Sequence, residues 1–192
     1  WAAHAVGADS PPTERHALEI RALTEPREVL DALPALLAGA RDRGDFREVG
    51  LLHLAEANAC RVIGKLVCQA EAGAKASEAA LRGELPSLRI RGHIIESRGR
   101  IALQDFTRAT QLLAEAERML IMHPDPEAAA DVYLAYSSMS HSVGRHARAA
   151  EYAQKGLTAL GSRPSLLIRI RLLRNQARAL TQLGDTKGAR SA

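Results

Sequence analysis

The side chains with the most chemical potential in this 192-residue chain are seven histidines, two cysteines and 22 arginines. The histidines form no His-Glu-x-x-His or comparable helical pair, which is the usual spacing of zinc ligands on a helix. The chain also lacks a Walker phosphate-binding loop, a Gly-x-Ser-x-Gly nucleophile elbow and a cysteine–histidine pair at catalytic spacing. We therefore predict that this chain is not an enzyme and needs neither a metal nor a cofactor.

The two cysteines, Cys60 and Cys68, are separated by a candidate turn at Gly64. Within one straight helix they would lie about 12 Å apart along the axis, too far for a disulfide. A turn at Gly64 would instead place them opposite each other on adjoining helices. The pair is then either a disulfide, which would fit an oxidising compartment such as the periplasm, or two buried free thiols.

Arginine dominates the basic residues, with 22 Arg against four Lys and a net charge of +4. Because the guanidinium group binds carboxylate and phosphate through a planar fork of donors, this bias indicates either anionic partners or a compositional preference. Nucleic acid is disfavoured, since 22 acidic residues nearly balance 26 basic ones and aromatic residues are only 3% of the chain. Arg or Glu interrupts every apolar run, so no membrane-spanning segment is predicted.

The elements that position these residues are predicted to be helices. The chain is 46% hydrophobic, and its apolar residues recur three and four apart without strand-like alternation, which predicts an all-α fold. Four prolines stand where helices should begin, whereas Pro34 falls inside a predicted helix and could kink or split it. The predicted helices are 13–24, 27–43, 46–63, 65–81, 86–103, 106–122, 126–143, 146–160 and 164–183, followed by a stub from 186.

A period of 40 residues organises these helices. Gly64, Gln104, Gly144 and Gly184 each lie between one apolar helix and the next. Three of the four are glycine, which tolerates the left-handed conformation that closes a helix. Small residues recur at matched distances before and after these turns, namely Ala57, Ser97, Ser137 and Ala177 before them and Ala109, Ala149 and Ala189 after them. The period therefore predicts a helical hairpin repeated in tandem.

Two segments, Leu103-Gln104-Asp105 to Ala109 and Leu183-Gly184-Asp185 to Ala189, resemble the Leu-Gly-Asp-x-x-x-Ala turn of tetratricopeptide repeats. The resemblance covers about residues 46–192. It implies a right-handed superhelical solenoid of antiparallel helix hairpins with a concave ligand groove. The 40-residue period, against roughly 34 in that family, implies longer helices.

A narrower resemblance involves the run 57–63, the following Cys68-Gln69 and the upstream Glu25-Pro26-Arg27. These segments resemble the repeat-containing sensory regions that precede GGDEF diguanylate cyclase domains in bacterial signalling proteins. The chain contains no GGDEF segment, so the resemblance implies an input module whose cyclase would lie beyond Ala192. The predicted function is a non-catalytic sensory or regulatory module, and the alternatives are a protein-interaction scaffold or the repeat region of a transcription activator.

The 40-residue register predicts which side chains face the groove. On the first helix of each hairpin, residues three and four apart share one face. The polar members of this stripe are Asn58, Arg61, Arg91, Arg98, Ser138, His141, Arg171, Arg174 and Arg178, and Asp131 lies on the same stripe. Such a set would suit an acidic peptide or protein, a carboxylate or a phosphorylated small ligand; its alternative is a solvated face or an interface with further helices.

The ends of the chain give the predicted domain boundaries. Residues 1–12 contain an Ala3-His4-Ala5 triplet typical of signal-peptide cleavage sites, and they are interpreted as a disordered tail or a signal-peptide remnant. Residues 13–192 are the predicted repeat domain, truncated in its last repeat. The signal-like start and the cysteine pair favour the periplasm over the cytoplasm, and a homodimer is a further option for the repeat domain.

Overall fold

The computed structural model describes Leu18, residues 20–163 and residues 165–184. In these ranges the chain is helical with no β-strand, which confirms the all-α prediction. After a helical segment at 20–24, the helices are α1 Pro26–Asp42, α2 Phe46–Val62, α3 Leu66–Arg82, α4 Pro86–Ala102, α5 Phe106–Met122, α6 Pro126–Ser142, α7 His146–Leu160 and α8 Leu166–Gln182.

The predicted bounds of these eight helices are correct to within two residues. α1 runs unbroken through Pro34, so the helix is not split there. The predicted tail at 1–12, half of the predicted helix 13–24 and the stub from 186 lie outside the described residues, as does Ala189. No helix of the described residues is long and apolar enough to cross a membrane.

The helices begin at intervals of 20 residues because the same turn closes most of them. After α2, the Lys65 N–H donates to the Cys60 carbonyl at 2.8 Å, and Gly64 between them has a φ of 77°. This is the hydrogen bond of a Schellman motif, which needs a left-handed residue before the donor. The same bond recurs after α1, α3, α4 and α6. After α3 and α4, the left-handed positions are held by Glu84 and Gln104, with φ of 53° and 63°.

Small residues let α3 and α4 pack closely. A Cβ added at Gly73 would lie 2.5 Å from the Glu96 backbone nitrogen, and one added at Gly99 would lie 2.8 Å from that of Ala70. Residues later in α4 therefore pack against residues earlier in α3. The backbones therefore approach more closely than any side chain at those two positions would permit.

One pair of the predicted small residues that flank the turns is in contact across two helices. Ser137 of α6 is fully buried and donates its hydroxyl to the carbonyl of Ala149 in α7 at 2.8 Å. Ala57, Ser97 and Ala109 are likewise fully buried. The core around them consists of aliphatic side chains, with a small stack of tyrosine rings between α6 and α7.

Contacts between helices follow a simple order. Each helix contacts its neighbours in sequence, and α2, α4, α6 and α8 also contact one another in turn. The backbones of the odd-numbered helices α1, α3, α5 and α7 do not pack against one another. The even-numbered helices thus form a continuous row, and the surface of that row carries the predicted groove stripe.

Candidate functional site

A cleft of about 670 Å³ lies on the row of even-numbered helices. Arg61 at the end of α2, Arg98 of α4, Ser138 of α6, and Arg171 and Arg174 of α8 all line it. The remaining lining residues are mainly apolar or uncharged, and comprise Leu66, Gln69, Ile101, Ala102, Gln104, Phe106, Leu134 and Ser142. The site is therefore a partly apolar cleft with four guanidinium groups.

One carboxylate balances part of this positive charge. Arg98 forms an ion pair with Asp131 of α6, and each of the two side chains is 22% exposed. Because the pair is shielded from solvent, it holds Arg98 in place more firmly than a surface ion pair would. Four guanidiniums and this one carboxylate leave a formal charge of +3.

The guanidiniums are close enough to repel one another. Burial lowers the pKa of Arg61, and the charge of Arg98 lowers it further. Burial also lowers the pKa of Arg171, followed by the charges of Arg98 and Arg61, which Asp131 opposes; Arg174 adds a smaller lowering. Arginine stays protonated at neutral pH even so, because its ordinary pKa is above about 12. The cleft therefore concentrates positive charge that the described residues neutralise only in part.

Uncharged polar groups complete the lining. Gln69 of α3 is only 4% exposed, yet it lines the cleft. The Ser138 hydroxyl donates to the Leu134 carbonyl at 2.9 Å and accepts from the Asn175 amide at 3.0 Å. Sequence reasoning missed Gln69 as part of the lining, and it missed Asn175, which does not line the cleft but is a hydrogen-bond partner of Ser138. Asn175 lies four residues after Arg171 and three before Arg178, so the spacing of the stripe is a signal that could have found it.

The predicted groove residues divide into two groups. Arg61, Arg98, Ser138, Arg171 and Arg174 line one cleft. The other four predicted residues, Asn58, Arg91, His141 and Arg178, are not among the residues that line it. The 40-residue register thus brings together just over half of its predicted set.

Two of those four residues have other neighbours. Arg91 lies with Arg47 along a separate cleft between the first turns of α2 and α4. His141 has its Nδ1 3.1 Å from that of His146, across the turn between α6 and α7. Burial lowers the pKa of His141, and the charges of Arg178 and His146 lower it further.

Cys60 and Cys68 are joined by a disulfide with a Cα–Cα distance of 5.9 Å. The bond connects the end of α2 to the start of α3 across the turn at Gly64, as the sequence allows. Cys60 is fully buried. Arg61 is its neighbour in sequence, so the disulfide anchors the helix end that carries one of the cleft arginines.

A second cluster of ionisable groups lies between α4 and α5. Arg89 and His93 of α4 approach Glu115 of α5 at 2.5 and 3.6 Å. Among the described residues, the buried Nε2 of His93 has no partner within hydrogen-bond distance. Burial lowers the pKa of His93 most strongly, while Glu115 opposes that shift. Within the described part of the chain, no three His, Cys, Asp or Glu side chains are grouped as metal ligands would be.

Comparisons of the chain with protein-family models, with curated proteins and with solved structures find no match. The interpretation of the cleft therefore depends on its own geometry and charge.

Proposed function

We propose that this chain is a non-catalytic ligand-binding module of a bacterial signal-transduction protein, and that the arginine cleft is its binding site. The observation that carries the proposal is the set of four guanidiniums with one carboxylate in a cleft of about 670 Å³. Like charges held together in a partly buried site oppose folding. Such an arrangement is more readily explained by an anionic ligand than by a structural role.

The proposed architecture is a right-handed, tetratricopeptide-like solenoid of antiparallel hairpins. The 20-residue spacing of helix starts and the opposed numbering of contacts between α3 and α4 support hairpins. The continuous row of even-numbered helices supports a solenoid. The charge of Arg61 lowers the pKa of Arg171 although the backbones of α2 and α8 do not pack together, which supports a concave row surface.

The proposed mechanism is a change in the shape of the row on ligand binding. An anion held by Arg61 and Arg171 would connect α2 to α8, and so would favour one curvature of the intervening helices. This change would alter the spacing or dimer pairing of an output domain, for which a diguanylate cyclase following this chain is the leading candidate. The disulfide between Cys60 and Cys68 supports placing the module in an oxidising compartment such as the periplasm.

The test uses the full-length protein and measures the activity of its output domain. The double variant Arg61→Gln and Arg171→Gln removes two cleft charges, and we expect it to abolish the response to ligand or to shift the basal output. Arg27→Gln is the matched control, because Arg27 is exposed on α1, which contacts only α2 of the even-numbered row. Unchanged output in the cleft variant, with the same response as the control, would refute the proposal.

The alternative is a protein-interaction scaffold, which is favoured by the apolar surface of α8. Leu166, Leu167 and Ile170 are 67%, 56% and 52% exposed. A protein partner covering them would bury substantial apolar area. Substituting Leu167→Ser and Ile170→Ser would then abolish assembly in sedimentation or pull-down measurements, while the cleft variant would not.

A further inference from the structure

We infer that the arginine cleft takes a small organic phosphate, with its phosphate dianion bound by Arg61, Arg98 and Arg171 and its uncharged part against the apolar wall. The inference rests on the proposed function, since it names the ligand class of the same site. It is narrower than that proposal, because a carboxylate ligand would satisfy the proposed function and not this inference.

The first argument is charge balance. The cleft has a formal charge of +3 after Asp131 is counted. A monocarboxylate would leave +2, whereas a phosphate monoester, which carries nearly two negative charges at neutral pH, leaves about +1. Since Arg61, Arg98 and Arg171 are partly buried, each remaining charge beside them raises the free energy of the bound state. A dianion therefore gains more from this site than a monoanion does.

The second argument is the number and direction of donors. Arg61, Arg98 and Arg171 come from three different helices, α2, α4 and α8, and all three line the same cleft. The charge of Arg98 lowers the pKa of both Arg61 and Arg171. A carboxylate presents two oxygens in one plane and suits a single bidentate guanidinium. The terminal oxygens of a phosphate monoester are arranged pyramidally and number three. That arrangement accepts donors arriving from three directions.

The third argument concerns the rest of the cleft. Ile101, Phe106 and Leu134 provide apolar surface next to the arginines, and the nearly buried Gln69 offers an amide. A volume of about 670 Å³ exceeds that needed by a bare phosphate ion. It lies within the range of about 300–1,000 Å³ in which proteins bind small organic ligands. The ligand class that uses all of these surfaces is a phosphate ester with a flat or apolar organic part.

A substitution at Asp131 gives the most specific test of the inference. Its carboxylate competes with a bound anion for Arg98 and adds negative charge beside the cleft. The substitution Asp131→Asn keeps the size of the side chain and removes the charge. A misfolded variant would bind the ligand more weakly. A gain of affinity in Asp131→Asn therefore cannot be explained by misfolding.

The experiment measures binding of three probes to the full 192-residue chain by isothermal titration calorimetry at pH 7.5. The probes are phenyl phosphate, benzoate and inorganic phosphate. We expect phenyl phosphate to bind at least about tenfold more tightly than either of the others. Arg61→Gln and Arg171→Gln should each weaken it by about tenfold or more, Asp131→Asn should tighten it, and Arg27→Gln should leave it unchanged.

The outcomes separate this inference from the proposed function. Equal affinity for benzoate and phenyl phosphate, or no effect of the arginine variants on phenyl phosphate binding, would overturn the inference. If benzoate binds more tightly and depends on the same arginines, the inference fails and the ligand-binding function stands. If phenyl phosphate binds as expected but the arginine variants leave the output of the full-length protein unchanged, the inference stands and the proposed function fails.

Discussion

The substitution Gly73→Ala tests the close packing of α3 against α4 on which the position of the cleft depends. A Cβ at this position would lie 2.5 Å from the nitrogen and 2.8 Å from the Cα of Glu96, both backbone atoms. The shorter distance is roughly 1 Å below the separation at which ordinary van der Waals contact begins. Because a backbone cannot rotate away as a side chain can, α3 and α4 must move apart along their shared face.

The expected size of the effect follows from two opposing contributions. Overpacking of a rigid interface costs about 1–3 kcal/mol, and a contact this short with backbone lies in the upper part of that range. Replacing glycine by alanine within a helix returns about 1 kcal/mol through helix propensity. We therefore expect Gly73→Ala to lower the free energy of unfolding by about 1–2 kcal/mol, measured by urea denaturation followed by circular dichroism.

Gly39→Ala is the matched control, since Gly39 also lies within a helix, α1. Its added Cβ would meet only Nη1 of Arg43, at 3.3 Å, and that side-chain end can move away. The helix-propensity gain then remains, and the control should be stabilised by up to about 1 kcal/mol. The two identical substitutions should thus have opposite signs. A Gly73→Ala protein as stable as the original would refute the close approach of α3 and α4.

Three further predictions concern the turns, the disulfide and the histidines. Gln104→Gly should stabilise the chain by about 0.5–1 kcal/mol in urea denaturation, since Gln104 holds a left-handed φ of 63° that glycine adopts without strain; a loss of stability would contradict this. Reducing the bond between Cys60 and Cys68, confirmed by intact mass and thiol labelling, should cost about 2.5 kcal/mol for so short a loop; an unchanged denaturation midpoint would count against it. The pKa values of His93 and His141 lie below 6.5 in the folded chain, so the unfolded chain binds protons first, and unfolding free energy should fall as pH drops below about 6.5. His141→Asn should flatten this fall, and identical pH profiles for the two proteins would contradict the prediction.

The helix bounds were predictable from the sequence because residues at the helix ends themselves mark where most helices begin. Proline begins α1, α4 and α6, and aspartate side chains cap α2, α5 and α6. The 40-residue period contains a finer one of 20, since Gly44 and Glu84 also occupy left-handed turn positions. The predicted helix starts at 46, 65, 86, 106, 126 and 146 already have this finer spacing. Glu84 itself was not recognised as a turn residue, because glutamate does not indicate a left-handed position, and its φ identifies it.

The cleft was predictable only in part. The 40-residue register identifies the face of a helix on which a residue lies, but it does not show which neighbouring helix covers each part of that face. Arg61, Arg98 and Arg171 share a face in sequence and a cleft in the fold. Arg91 shares the same face, but it lies two turns nearer the start of α4 and meets a different cleft, with Arg47. The ion pair between Arg98 and Asp131 was not predictable, because it depends on the distance between α4 and α6. A period in the sequence does not give that distance.

The charged residues of the cleft can be compared with the partly buried charged residues in the rest of the described chain. Elsewhere, partly buried charges have close partners: Glu96 has Arg100 and Arg108 at 3.5 and 3.4 Å, and Arg89 has Glu115 at 2.5 Å. The cleft departs from this pattern, since burial and mutual repulsion lower the pKa values of both Arg61 and Arg171.

Within the described residues, the other partly buried charges named above are paired, whereas the cleft between α2 and α8 has an excess of positive charge. Departures of this kind concentrate at functional sites, because the ligand supplies the missing charge. In the described part of the chain the backbones of α2 and α8 do not pack together and α4 and α6 lie between them, so an anion shared by Arg61 and Arg171 would link the two helices directly. Ligand binding and the shape of the row should therefore be coupled in both directions.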